Sequence, residues 1–145
     1  MIYLDTSAFL KLYVREGESQ FVEQWIQSQD EPLPVTDLLQ REFVNALRLK
    51  VYWEELDAPT ADHLIALFDD RLVRGQYFVP TVDRIRLLQD ARELSDHTPS
   101  IGCRTLDILH VAFALQLEPA EFITFDSRQA ELARRAGLEV QPIVP

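Results

Sequence analysis

Ile2-Tyr3-Leu4-Asp5-Thr6-Ser7-Ala8-Phe9-Leu10 opens the chain. Its first three residues are an apolar, β-prone run. Asp5, Thr6 and Ser7 commonly cap helices, and the apolar positions Phe9, Leu10, Tyr13 and Val14 then predict a helix from Ala8 to Val14. The same grammar returns near the other end. Phe122-Ile123-Thr124-Phe125 stops at Asp126-Ser127, and Arg128 to Ala136 is amphipathic and closed by Gly137. Short strands followed by helices, with no hairpin dipeptide such as Asn-Gly between neighbouring strands, imply right-handed crossovers and parallel pairing.

Working inward, Phe21, Val22, Trp25 and Ile26 recur at helical spacing, and a brief strand is expected around Leu33 to Thr36 between prolines. Helices are expected over residues 37–53 and 58–74, the second started by Pro59 and ended by Gly75, as an αα-hairpin. Tyr77-Phe78-Val79 reads as a third strand, Thr81 to Ser95 as an amphipathic helix, and His97 to Gly102 as loop. Thr105 to Leu117 is apolar except for Asp107, His110 and Gln116, so that helix should be buried on most sides. Leu138 to Ile143 supplies a possible last strand. The expected fold is three-layer α/β/α around a central, mainly parallel sheet of four to five short strands, as one domain over 1–145.

Composition is consistent with this. The 145 residues are 47% hydrophobic and 26% charged, with 8 Phe, 4 Tyr and 2 Trp, which excludes disordered, low-complexity and collagen-like classes. A chain of that length can bury roughly two thirds of its unfolded surface. Cys103 is the only cysteine, so neither an internal disulfide nor a thiolate metal cluster is available, and a reducing compartment is expected. No apolar run approaches the roughly 18 residues of a membrane span and no leader is visible, so a cytoplasmic protein is expected. The net charge of -10 argues against nucleic-acid binding by bulk charge, although metal ions or a basic partner can offset it.

Four acids stand out. Asp5 and Asp126 each follow an apolar strand, where the ends of parallel strands line the ligand crevice; each also suits a plain helix cap. Glu42 has Leu38, Leu39, Asn45 and Ala46 as its helical neighbours, which puts it beside the apolar stripe. Asp107 sits in the first turn of the most apolar helix, where the dipole favours an anion and Thr105 is the expected cap. Two carboxylates about 5 Å apart repel by about 3 kcal/mol at an effective dielectric near 20. A converging set would take up protons, spread, or hold a divalent cation. Oxygen donors without a Cys or His pair favour Mg²⁺, or Mn²⁺, over Zn²⁺, and such an ion suits attack on a phosphodiester.

Ile2-Tyr-Leu-Asp5-Thr-Ser7, Arg41-Glu42-Phe-Val-Asn-Ala-Leu47, Thr105-Leu-Asp107-Ile-Leu-His110 and Ile123-Thr-Phe-Asp126-Ser-Arg128 together resemble the signature segments of PIN-domain ribonucleases, specifically VapC-type toxins. The likeness runs over essentially the whole chain. It implies that Asp5, Glu42, Asp107 and Asp126 form an acidic metal site for Mg²⁺, with Mn²⁺ as a substitute. It also implies cleavage of RNA, of the transfer or ribosomal class, leaving a 5′-phosphate and a 3′-hydroxyl. A cognate antitoxin would silence the enzyme, and dimers are common in the family. Thr6 or Ser7, and Thr124, match polar positions that can hold water or a phosphate oxygen. Arg128 is a departure, since some relatives carry a further acid there.

Other residues read more plainly. His110 suits a core or supporting role, and Asn45 is similar. Arg104 suits a phosphate, an antitoxin carboxylate or plain solvent; Arg84 and Arg86 at a helix start hint at anions. Trp25, Tyr52, Trp53 and Phe68 suit the core or a groove for an antitoxin helix. Two other classes compete: a PIN-fold binding module with structural carboxylates only, and an aspartyl-phosphate phosphatase or receiver. The phosphatase chemistry needs a second Asp two residues after the first, where this chain has Ser7.

Overall fold

The computed structural model describes residues 1–142. In chain order the elements are β1 (Ile2–Leu4), α1 (Thr6–Leu10), α2 (Ser19–Gln27), β2 (Leu33–Pro34), α3 (Asp37–Tyr52), α4 (Ala58–Val73) and β3 (Tyr77–Phe78). There follow α5 (Arg84–Leu94), a 3₁₀ turn at Ser95–His97, α6 (Thr98–Ile101), α7 (Thr105–Leu117), β4 (Glu121–Ile123), α8 (Ser127–Arg135) and β5 (Val140–Gln141). The α/β class and the parallel pairing agree with the sequence reading. The strands form two hydrogen-bonded sets, β1-β4-β5 and β2-β3. The described residues likewise group into two compact units, 1–8 with 80–142, and 9–79.

In the first unit β1 pairs with β4 in the register Ile2↔Glu121, Tyr3↔Phe122, Leu4↔Ile123, and β4 pairs with β5 through Phe122↔Val140. Ile2, Tyr3 and Leu4 are all buried, which is why the strand reads as a continuous apolar run instead of an alternating one. Tyr3 stacks on Phe122 with ring centroids 5.3 Å apart. Helix α7 buries Ile108, His110, Val111, Ala112, Phe113 and Ala114, as its near-total apolarity requires.

The second unit is organised by rings. Phe9, Phe43 and Phe68 are buried, with Tyr77 nearly so. Phe43 lies 5.3 Å from Phe9, 4.8 Å from Tyr13 and 5.2 Å from Phe68 between centroids. The hydroxyls of Tyr13 and Tyr77 share a 2.8 Å hydrogen bond, and Arg71 stands 5.0 Å over the Tyr13 ring. Burial and the Tyr77 hydroxyl push the Tyr13 phenol upward, so it stays a neutral partner. Lys11, nearly buried, is paired with Glu16 and Glu18 at 2.8 and 2.9 Å, as a buried ammonium must be.

Several boundaries differ from the sequence reading for local reasons. Helix α1 starts at Thr6, ahead of Ala8, because the Asp5 carboxylate accepts the Ala8 N–H, and it ends at Leu10, with residues 11–14 in turns. Helix α5 starts at Arg84 because Asp83 accepts the Arg86 N–H. The expected loop at 97–102 contains α6, whose Pro99 lies in the first turn where no N–H is needed. Gly102, at φ +77°, closes that helix in the left-handed region. Phe68 is buried and Trp25 half-buried, but Tyr52 is 81% and Trp53 56% exposed, so neither belongs to the core. Ile143, in the expected last strand, lies outside the described residues. No helix among the described residues is long and apolar enough to cross a membrane.

Candidate active site

Asp5 follows β1, and its own N–H extends the ladder to the Ile123 carbonyl at 3.1 Å. Its side chain is buried, yet every oxygen is served. Oδ1 accepts the Ala8 N–H at 2.8 Å and the Ser7 hydroxyl at 2.7 Å; Oδ2 accepts Thr124 Oγ1 at 2.6 Å. The two hydroxyls are themselves held, since Ser7 Oγ accepts the Phe125 N–H and Thr124 Oγ1 accepts the Asp126 N–H. Ser7 and Thr124 therefore orient Asp5. Thr6 faces His110 instead, 3.1 Å from Nε2.

The second of these relays joins two acids. From Asp126 N–H through the Thr124 hydroxyl to Asp5 Oδ2 there is a single side chain. Asp126 also caps α8, accepting the Gln129 N–H at 2.9 Å, so the cap reading of this residue is correct as far as it goes. Asp107, in the first turn of α7, accepts the Arg104 N–H at 3.2 Å. Arg104, not Thr105, is the cap position there. The structure thus brings Asp5, Asp107 and Asp126 together within one unit. Glu42 stands half-buried on α3, in the unit of residues 9–79.

Electrostatics show how the charges bear on one another. Burial holds the Asp5 carboxyl above the ordinary carboxylate range, with the His110 ring and the hydroxyl and amide donors pulling the other way. Burial also raises Asp107, and the Asp126 carboxylate adds to the effect. Burial and these same two acids push the Cys103 thiol up, which makes it inert rather than nucleophilic. His110 is buried, with Tyr3 OH 2.7 Å from Nδ1. That burial agrees with the core alternative the sequence suggests, and Tyr3 is its unforeseen partner. Arg104 is exposed and 3.8 Å from Asp107, a surface pair worth little. Arg128 and Asn45 are exposed, as are Arg84 and Arg86, the latter 3.6 Å from Asp90.

A cation fits these groups in donor type and in charge, because two of the acids are left undercompensated by their surroundings. The fit is looser than the sequence predicts. Among the described residues no three His, Cys, Asp or Glu side chains are arranged to hold one ion directly.

A raised carboxyl destabilises the fold as pH rises. The folded state binds the Asp5 proton more tightly than the unfolded chain does, so stability present at low pH is lost above about 3.8 and is fully lost past the folded value. In chelator, the melting temperature of Asp5→Asn minus that of the unaltered chain is expected to grow as pH rises from 4 to 7. A flat or falling difference would contradict the assignment of burial as the dominant influence.

Residues 2–135 match the PIN domain family. The chain belongs to that family. Among curated proteins, this PIN-domain chain is similar to Ribonuclease VapC47 of Mycobacterium tuberculosis (strain CDC 1551 / Oshkosh), 27% identical over 141 residues that cover 94% of this chain and 93% of that protein. Among solved structures it is similar to FitAcB from Neisseria gonorrhoeae, with a TM-score of 0.67, 16% identity, and coverage of 97% of this chain and 96% of the other. VapBC-1 from nontypeable Haemophilus influenzae gives a TM-score of 0.66 at 14% identity, with 97% of each chain covered. At those identities the two structures establish the fold alone.

Proposed function

We propose that this PIN-domain chain is an Mg²⁺-dependent endoribonuclease, with Mn²⁺ as a substitute ion, and the toxin of a toxin-antitoxin pair. One observation carries the enzymatic part: Asp5, buried and aimed by Ser7 and Thr124, is joined through one hydroxyl to Asp126, whose charge bears on Asp107. A purely structural cluster has no reason to set the Asp126 charge against Asp107 beside a third, buried carboxylate, Asp5. The names of the similar proteins, a VapC ribonuclease and VapBC and FitAcB assemblies, support the toxin part.

In this reading Asp5, Asp107 and Asp126 are the residues that would hold the ion. A bound divalent ion supplies Lewis acidity, which acidifies water and offsets charge developing on the phosphate. Ser7, Ala8 and Thr124 keep the Asp5 oxygens aimed, and the first turns of α7 and α8 present Asp107 and Asp126. Glu42 is proposed as a fourth required acid on its motif alone. Arg104, exposed beside Asp107, is proposed to meet an RNA phosphate. A transfer or ribosomal RNA substrate, an antitoxin partner, a homodimer, one nuclease domain over the whole chain and cytoplasmic action complete the proposal.

A second reading, a catalytically silent PIN-fold binding module, is favoured by the full set of ordinary partners around Asp5 and by the looseness of the acid cluster. Incubating the chain with single-stranded RNA separates the two. Cleavage that needs Mg²⁺, stops with chelator and leaves a 5′-phosphate supports the nuclease. Intact RNA in both Mg²⁺ and Mn²⁺, across transfer and ribosomal substrates, supports the silent module.

A further inference from the structure

Asp126-Ser127-Arg128-Gln129 has the spacing of a capping box, in which the residue three after the cap returns its side-chain oxygen to the cap's own backbone N–H. Half of the box is present: the Asp126 carboxylate accepts the Gln129 N–H. The return half is not. The Asp126 N–H goes to Thr124 Oγ1, and so belongs to the relay that aims Asp5. Gln129, 1% exposed, turns its amide Nε2 across to the Asp107 backbone carbonyl of α7 at 3.4 Å. Its Oε1 is left buried without a hydrogen-bond partner among the described residues.

This arrangement costs stability, because a buried amide oxygen has left water without compensation. An apolar side chain of the same length would avoid that cost. What Gln129 gains is a tie between two helix starts, each carrying an acid: its backbone N–H binds the Asp126 carboxylate and its amide binds the Asp107 main chain. We propose that Gln129 is a positioning residue that sets the separation of Asp107 and Asp126, and through it the site's affinity for a divalent cation. The inference rests on the metal-site reading above.

The test uses the full chain and Mn²⁺ alone, titrated by calorimetry into metal-free protein, beside a melting curve in chelator. Gln129→Met keeps length and removes both the tie and the orphaned oxygen. It is expected to weaken Mn²⁺ binding about tenfold or more, within the range for groups that orient metal ligands, with no fall in melting temperature. In RNA cleavage, kcat at fixed Mg²⁺ should drop while KM for RNA stays put. Should Gln129→Met fail to fold, Gln129→Leu, which likewise lacks the amide donor and adds no charge, is expected to give the same weakening. Unchanged Mn²⁺ affinity in a folded variant overturns the proposal and leaves the metal-site reading intact. An unaltered chain that takes up no Mn²⁺ overturns both, and is seen before any variant is made.

Discussion

Asp5→Asn is expected to lower RNA cleavage by at least about 100-fold, more than the loss of a group that merely orients a metal ligand, while the chain stays folded. The substitution is nearly isosteric. Its remaining carbonyl oxygen can keep the Ala8 N–H that Oδ1 now accepts, so α1 keeps its start. The Ser7 and Thr124 hydroxyls, which now donate to the carboxylate, lose some of their acceptors. Against that loss stands the removal of a charge whose burial outweighs all its hydrogen bonds. At neutral pH in chelator the variant should therefore melt no lower than the unaltered chain. The pairing of the two results is the point: a structural cap would lose stability and keep activity, whereas a metal-holding acid loses activity and keeps stability.

Phe43→Ala is the largest stability change expected. Phe43 is fully buried, and truncation of such a ring leaves a cavity that its neighbours fill only in part, at about 3–5 kcal/mol. Its three ring contacts, with Phe9, Tyr13 and Phe68, all lie within about 5.3 Å, in the range where aromatic pairs add to simple burial. Urea denaturation should show the midpoint falling steeply with little change in slope. A loss below about 1 kcal/mol would mean that the cluster collapses onto the gap, contrary to close packing.

The fold was legible where apolar runs were unambiguous. Ile2-Tyr3-Leu4 could only be a buried strand, and Thr105 to Leu117 begins and ends where its apolar pattern does. Legibility failed where one side chain decides a boundary: Asp83 delays α5, Asp5 advances α1, and Pro99 lies in the first turn of a helix inside the stretch expected as loop. The division of the strands into two hydrogen-bonded sets was not visible either, because β2 and β3 are two residues each and pattern alone cannot say which strands pair.

Site residues show the same limit. Placing Asp5 and Asp126 after strands followed from the pattern, and placing Asp107 at a helix start followed from its neighbours. The roles of Thr124 and Tyr3 did not, because each depends on a partner more than a hundred residues away, and Ser7, which aims the nearby Asp5, is itself held by the distant Phe125 N–H. Gln129 left only a cap-like Asp-x-x-Gln spacing, which bears on Asp126 and does not say where the Gln129 amide turns.

A nuclease built on these acids must hold a divalent ion. The direct measurement is a Mn²⁺ titration of the metal-free full chain, read by calorimetry or electron paramagnetic resonance, beside Asp5→Asn and Asp126→Asn. Saturable uptake by the unaltered chain that is lost in both variants is the expected result; no saturable uptake, or uptake that both variants retain, would contradict it.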